Sequence, residues 1–311
     1  MTHIRRVVAE LKASLASGGI EAMARTHSAA MNSGPSYRLF CGLVDLMYPA
    51  TALLDILKDL DHQVGQLGVA GGSKAVLRKI PTPWRAEFPE GRQAEIKTRP
   101  VIVFGKHGSV LTPFLVAASL DRPDLKMIGA SYVAKLGPNI ARCTYPVQLP
   151  IPTFRRAARR GILIRIGAWL TAKLDLPVEK DAARERNRAS LIRASEHVRG
   201  GGALLIAPDA HNPRAKWRTG IGLLVTQLAQ HDTATRDPCL VPYRIWASVT
   251  GVFHLLSRNP VTRALGRWEY RHPIRIVFGE PIPASAVIEQ TGLDPAGITE
   301  YLEAHYRGLG F

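Results

Sequence analysis

The stretch Val101-Ile102-Val103-Phe104-Gly105-Lys106-His107-Gly108-Ser109-Val110-Leu111-Thr112-Pro113 decides the fold. Its first four residues form an apolar run bounded by Pro100 and Gly105, which reads as a buried strand. A short turn of small and polar residues follows. Leu111 to Leu120 then reads as a helix.

The same alternation continues downstream. Met127-Ile128-Gly129 is a second short strand, and Ala183 to Arg199 a strongly amphipathic helix. Ala203-Leu204-Leu205-Ile206-Ala207 is a third strand, started by the run Gly200-Gly201-Gly202. Gly222 to Ala229 is helical, Leu240-Val241-Pro242 and Ile274 to Phe278 add strands, and Asp294 to Gly308 closes the chain as a helix. Short apolar runs alternating with longer amphipathic ones predict an α/β fold, with a mostly parallel central sheet flanked by helices.

Upstream of this pattern the chain reads as an N-terminal helical extension. Met1 to Leu15 is an amphipathic helix and not a signal peptide, since it lacks an uninterrupted apolar core and a small-residue cleavage site. Leu39 to Leu57 is the most apolar stretch, but Asp45, Pro49 and Asp55 interrupt it. A core helix, or a helical hairpin lying in a membrane interface, fits it better than a spanning helix. Gln63 to Lys97, rich in Gly, Pro and charge, reads as a linker over the surface. The expected organisation is a helical and linker region over 1–97, able to touch a membrane interface, and an α/β domain over 98–311.

Composition narrows the partners. The 311 residues carry 41 Lys+Arg against 25 Asp+Glu, a formal charge of +16. Such a field attracts polyanions: nucleic acid, acidic lipid headgroups or phosphorylated small molecules. There is no zinc-finger spacing, no aromatic-rich sheet motif and no clear basic recognition helix, so nucleic acid is not the expected partner. Ile151 to Lys173 places Arg155, Arg156, Arg159, Arg160 and Arg165 among Phe154, Ile162, Leu163, Trp169 and Leu170. That stretch suits either an anionic membrane surface or a core element with a solvated basic edge. Cys41, Cys143 and Cys239 are odd in number and far apart, so neither a disulfide framework nor a metal site is read from them, and a reducing, cytoplasmic-side location is expected.

In parallel α/β sheets ligands gather at the carboxyl ends of the strands, and His107 and Asp209 each lie just past such an end. An imidazole there is either a general base, with an unperturbed pKa near 6.5, or a cap for the following helix. The second segment, Pro208-Asp209-Ala210-His211-Asn212-Pro213-Arg214-Ala215-Lys216, combines a carboxylate and cations before Gly220 and Gly222. It reads as a phosphate or polar-headgroup site, or as a solvated loop in which Asp209 caps a turn.

Taken in order, these segments resemble the glycerolipid acyltransferase superfamily, which includes the lysophosphatidic acid acyltransferases. That family carries a His, four residues, then Asp; later a Phe-Pro-Glu-Gly turn after a strand; later still a Val-Pro strand. His107 to Thr112 is similar to the first motif, and Leu176-Pro177-Val178-Glu179-Lys180 resembles the Pro-Val-Asp-Arg strand between motifs. Ala203 to Ala210 resembles the third, and Trp217-Arg218-Thr219-Gly220-Ile221-Gly222 the helix entry after it. Val241-Pro242 and Phe278-Gly279-Glu280-Pro281-Ile282 match the late segments, so the resemblance spans residues 99–290. It departs in two places. Thr112 stands where the family has its orienting Asp, and Ala207-Pro208-Asp209-Ala210 replaces Phe-Pro-Glu-Gly. Phe88-Pro89-Glu90-Gly91-Arg92 spells that turn verbatim, but it precedes His107 and no apolar strand is expected to run into it, so it is read as a surface turn.

The resemblance implies an O-acyltransferase of phospholipid biosynthesis that needs no cofactor. It would move a fatty acyl group from an acyl-CoA or acyl carrier protein thioester to a lipid or alcohol hydroxyl, with a lysophospholipid-type acceptor. His107 would be the base, Asp209 its support or a placer of the acceptor, and Thr112 an imperfect substitute for the orienting acid. Arg214, Lys216, Gly220 and Lys180 would bind the acceptor. The expected location is the cytoplasmic side of a membrane, peripheral or monotopic. The alternative is a lipid-binding pseudoenzyme on the same fold, suggested by the missing Asp.

Overall fold

In a computed structural model of the chain, the structure describes residues 2–47, 50–80, 83–107, 111–148, 179–209, 216–230, 237–246, 255–257, 259–269 and 273–309. The chain opens with three helices: α1 (Thr2–Ser33), α2 (Pro35–Met47) and α3 (Ala50–Leu77). Strand β1 (Trp84–Glu87) and helix α4 (Gln93–Thr98) follow, then β2 (Val101–Gly105), α5 (Thr112–Leu120), β3 (Lys126–Ala130), α6 (Pro138–Arg142) and β4 (Thr144–Val147). Beyond these lie α7 (Lys180–Arg199), β5 (Ala203–Ile206), α8 (Gly220–Ala229), β6 (Cys239–Trp246) and α9 (Pro260–Glu269). The chain ends with β7 (Ile274–Phe278), β8 (Ile282–Pro283), α10 (Ala284–Thr291) and α11 (Pro295–Gly308).

The described strands form one sheet in the order β1-β7-β6-β2-β5-β3-β4, with β8 paired to β6. The pairs β1–β7, β6–β2, β2–β5, β5–β3 and β3–β4 are parallel, and β6–β7 and β6–β8 are antiparallel. The expected mostly parallel α/β fold with an N-terminal helical extension is therefore what the chain adopts.

Strand β2 shows why. All five of its residues are buried. Successive side chains point to opposite faces, so a strand buried throughout must be covered twice. Val101 and Val103 join one core with Leu60 and Val64 of α3 and Leu115 of α5. Ile102 and Phe104 join a second core with Leu191 of α7, Leu224 of α8 and Leu302 of α11. Truncating a ring like Phe104, 0% exposed, costs about 3–5 kcal/mol in such a setting.

Two glycines set close approaches. A Cβ on Gly105 would stand 2.3 Å from the main-chain oxygen of Tyr243, and one on Gly222 would stand 1.9 Å from that of Pro295. The first lets β2 lie against β6 at its carboxyl end, and the second lets α8 press on α11.

Three expectations need correction. The stretch Gln63 to Lys97, expected as a surface linker, contains the second half of α3, strand β1 and helix α4. A strand does run into the Phe88-Pro89-Glu90-Gly91 turn: Trp84–Glu87 pairs in parallel with β7, and the Phe88 ring stacks on Phe278 at 4.6 Å. Lys180, expected at the end of a strand, opens α7. The basic stretch Ile151 to Lys173, and Leu176 to Val178, lie outside the described residues. Leu39 to Leu57 falls on α2 and α3, and among the described residues no helix is long and apolar enough to cross a membrane.

Candidate active site

Strands β2 and β5 run side by side in parallel, with Val101 opposite Ala203 and Phe104 opposite Ile206. The same offset of 102 positions continues past the strand ends. There the main-chain N–H of His107 donates to both carboxylate oxygens of Asp209, at 3.2 Å each. Two residues remote along the chain thus meet at the carboxyl edge of the sheet, where the backbone groups of departing strands are no longer paired within it. Asp209 is 3% exposed, whereas His107 is half-buried.

The hydrogen bond runs to the backbone of His107. The contact therefore fixes the segment that carries the imidazole. A buried carboxylate also imposes a negative field on its surroundings, because little water screens it. Two phenols register that field. Burial pushes Tyr243 well above the ordinary tyrosine range, and the charge of Asp209 adds to the rise. Burial also raises Tyr306; a hydrogen bond from the Lys106 main chain and the charge of Arg244 pull it back, while Asp209 pushes it further up. Both phenols stay neutral at physiological pH.

These tyrosines hold the residue before His107. The Tyr243 hydroxyl donates to the Lys106 carbonyl over a long 3.5 Å, and Tyr306 is hydrogen-bonded to the Lys106 main chain. The Lys106 ammonium lies 5.9 Å from the Tyr306 ring centroid. Tyr306 packs on Trp217 at 5.2 Å, and Trp217 meets Phe104 edge-on at 5.8 Å. On the β5 side the Arg218 N–H donates to the Pro208 carbonyl at 3.1 Å, and the Trp217 N–H to the Glu303 carboxylate at 3.1 Å. The C-terminal helix α11 supplies both Tyr306 and Glu303, and so braces the edge on which His107 stands.

The other expected site residues stand on separate elements. Thr112, 1% exposed, begins α5, five positions after His107 in the sequence. Lys216 is exposed and paired with Glu300 at 2.6 Å, so its charge is already engaged. Gly220 is the first residue of α8, with open space around it. Lys180 is exposed at the start of α7. Arg214 lies outside the described residues. Sequence reasoning did not single out Lys106, Tyr243, Tyr306 or Arg244. Lys106 lies over the Tyr306 ring, and the Arg244 guanidinium lies 4.4 Å from the Trp246 ring centroid; the only signal for Lys106 was its place next to His107.

No protein-family model matches the chain, and no curated protein sequence matches it. Among solved structures it is similar to the 1-acyl-sn-glycerophosphate (LPA) acyltransferase PlsC from Thermotoga maritima, at 15% identity and a TM-score of 0.41, over 99% of this chain and 96% of that one.

Proposed function

We propose that the protein is an O-acyltransferase that moves a fatty acyl group from a thioester of CoA or acyl carrier protein to the hydroxyl of a lysophospholipid-type lipid. The observation that carries this reading is the bond from the His107 main-chain N–H to the Asp209 carboxylate, which brings the segment bearing the imidazole and the buried carboxylate to one sheet edge. In the proposed reaction the imidazole takes the acceptor's hydroxyl proton. The freed oxygen attacks the thioester carbonyl, the tetrahedral oxyanion collapses, the thiolate departs, and the imidazolium returns the proton to it. Asp209 would stabilise the imidazolium through its field and hold the His107 segment still. Thr112 would take, without charge, the orienting place of the family's acid. Lys106 and Arg244, with Arg214, Lys180 and Gly220, are the proposed source of acceptor-phosphate contacts, and Lys216 would join them only by leaving Glu300. The site would work at the anionic, cytoplasmic-side surface of a membrane, a setting that the +16 charge favours.

Thioester consumption by wild-type protein and His107→Ala tests this directly. Loss of the base should lower turnover by about 10²–10⁴-fold. Equal turnover in the two proteins would remove His107 from the mechanism.

One observation favours a second reading. Thr112 is buried and uncharged where an orienting carboxylate is expected, which suits a protein that holds lipid without turning it over. Acyl transfer found in Thr112→Asp but not in the wild type would decide for that reading.

A further inference from the structure

Among the large apolar side chains left exposed, two groups sit on α2 and on α9, whose entry is hydrogen-bonded to α2. On α2, Leu39 is 68% and Leu43 54% exposed, one helical turn apart, with Phe40 beside them. On α9, Val261 and Trp268 are each 66% exposed. They lie seven residues apart, and exposed Ala264 falls between them on the same stripe. The Ser257 hydroxyl, just ahead of α9, donates to the carbonyl of Asp45 near the end of α2 at 3.3 Å. Asn259 continues this link: its N–H donates to the Ser257 hydroxyl at 3.2 Å, and its side chain accepts the Val261 N–H at 2.9 Å. The entry to α9 is therefore fixed against α2.

The described exposed side chains of α2 and α9 include three arginines. Arg38, Arg263 and Arg267 are exposed, whereas Asp45 is buried and accepts the Thr51 N–H at 3.0 Å. Among the described side chains of α2 and α9, every exposed charge is cationic. An aliphatic and indole stripe flanked by arginines matches the layered chemistry of an anionic lipid surface, with acyl chains below and phosphates above. A second copy fits poorly, because a symmetric contact would set the same arginines of two +16 chains against each other. Nucleic acid would use the arginines but leave the aliphatic stripe in water.

We infer that α9, continued by the outer stripe of α2, is a docking face for anionic lipid, with Val261, Trp268, Leu39 and Leu43 entering the acyl boundary and Arg38, Arg263 and Arg267 meeting headgroup phosphates. This rests on the proposed setting at an anionic membrane and names the face that meets it, but it does not depend on the proposed chemistry.

Co-sedimentation of the full chain with phosphatidylcholine vesicles, with and without phosphatidylglycerol, tests the face. Wild-type protein should bind the anionic vesicles about tenfold or more tightly than the neutral ones, and added salt should weaken that binding. Val261→Asp/Trp268→Asp should lose about tenfold or more on anionic vesicles, as should Arg263→Gln/Arg267→Gln, whereas Trp268→Phe should keep most of it. His107→Ala should bind like wild type, so a failure of the catalytic reading and a failure of docking are seen separately. Unchanged vesicle binding in both double variants would overturn the inference. So would variants that retain vesicle binding but lose a concentration-dependent dimer, which would assign the face to a second copy.

Discussion

His107 and Asp209 stand in register across two parallel strands: the 102-position offset that pairs Phe104 with Ile206 also brings the His107 N–H to the Asp209 carboxylate. Register in a sheet is a rigid quantity, since a slip of one residue turns every side chain to the other face. The fully buried strands β2 and β5 thus determine which residues meet beyond their ends.

Asp209→Asn retains an acceptor for the His107 N–H and removes the charge. If the field of Asp209 supports the imidazolium, turnover should fall about 10–100-fold, with a stability change of only about 1 kcal/mol. Asp209→Ala should add the cost of a deprived amide, about 1–3 kcal/mol in the urea unfolding free energy. Steady-state thioester assays and urea melts separate the two effects; full activity in Asp209→Asn would confine Asp209 to the fold.

Gly105→Ala drives a Cβ to 2.3 Å from the main-chain oxygen of Tyr243, where no flexible side chain can yield. It should destabilise the protein by about 3 kcal/mol and displace the segment carrying His107. Gly91→Ala is a control in the verbatim Phe-Pro-Glu-Gly turn. Gly91 has φ of +70° and open space around it, so alanine should cost only backbone strain, about 1 kcal/mol, with acyl transfer unchanged. Abolished transfer at unchanged stability would move the site to that turn.

His197 supplies a pH signature at the opposite end of the sheet. Its Nε2–H donates to the Asp124 carbonyl at 2.8 Å and the Ala203 carbonyl at 3.2 Å. Burial holds its pKa below the ordinary value; the bond to Asp124 offsets this only in part. With the folded pKa lowered, the unfolded chain binds more protons just below about pH 6.5, so the stability His197 contributes is present above that pH and is lost as pH falls toward the folded pKa. Urea midpoints at pH 7.5 and 5.5 should separate more in wild type than in His197→Gln. Equal separations would mean that His197 titrates alike in both states.

The readable parts of the fold were those with one physical cause. Val101 to Phe104 is legible because a central strand covered on both faces tolerates only apolar residues. Trp84–Glu87 was missed for the converse reason. It is a four-residue edge strand, partly solvated, and its stabilising partners are charged: Glu87 takes Arg275 at 2.6 Å from the neighbouring strand. Charge of that kind reads as loop until the neighbour is known. At the site, His107 and Asp209 were legible as strand-end residues. Tyr243 and Tyr306 were not, because they are ordinary core aromatics until β6 and α11 bring their hydroxyls to Lys106. Lys216 reads as an acceptor-binding cation, but its partner Glu300 lies on a helix far along the chain.

The β1–β7 pairing also bears on where the chain can be cut. Removing residues 1–97 takes away Trp84–Glu87 and leaves Ile274–Phe278 with a bare row of amides and carbonyls. Such an uncovered border recruits other strands. A shortened protein made of residues 98–311 should therefore self-associate, whereas one beginning ahead of Trp84 keeps Ile274–Phe278 covered.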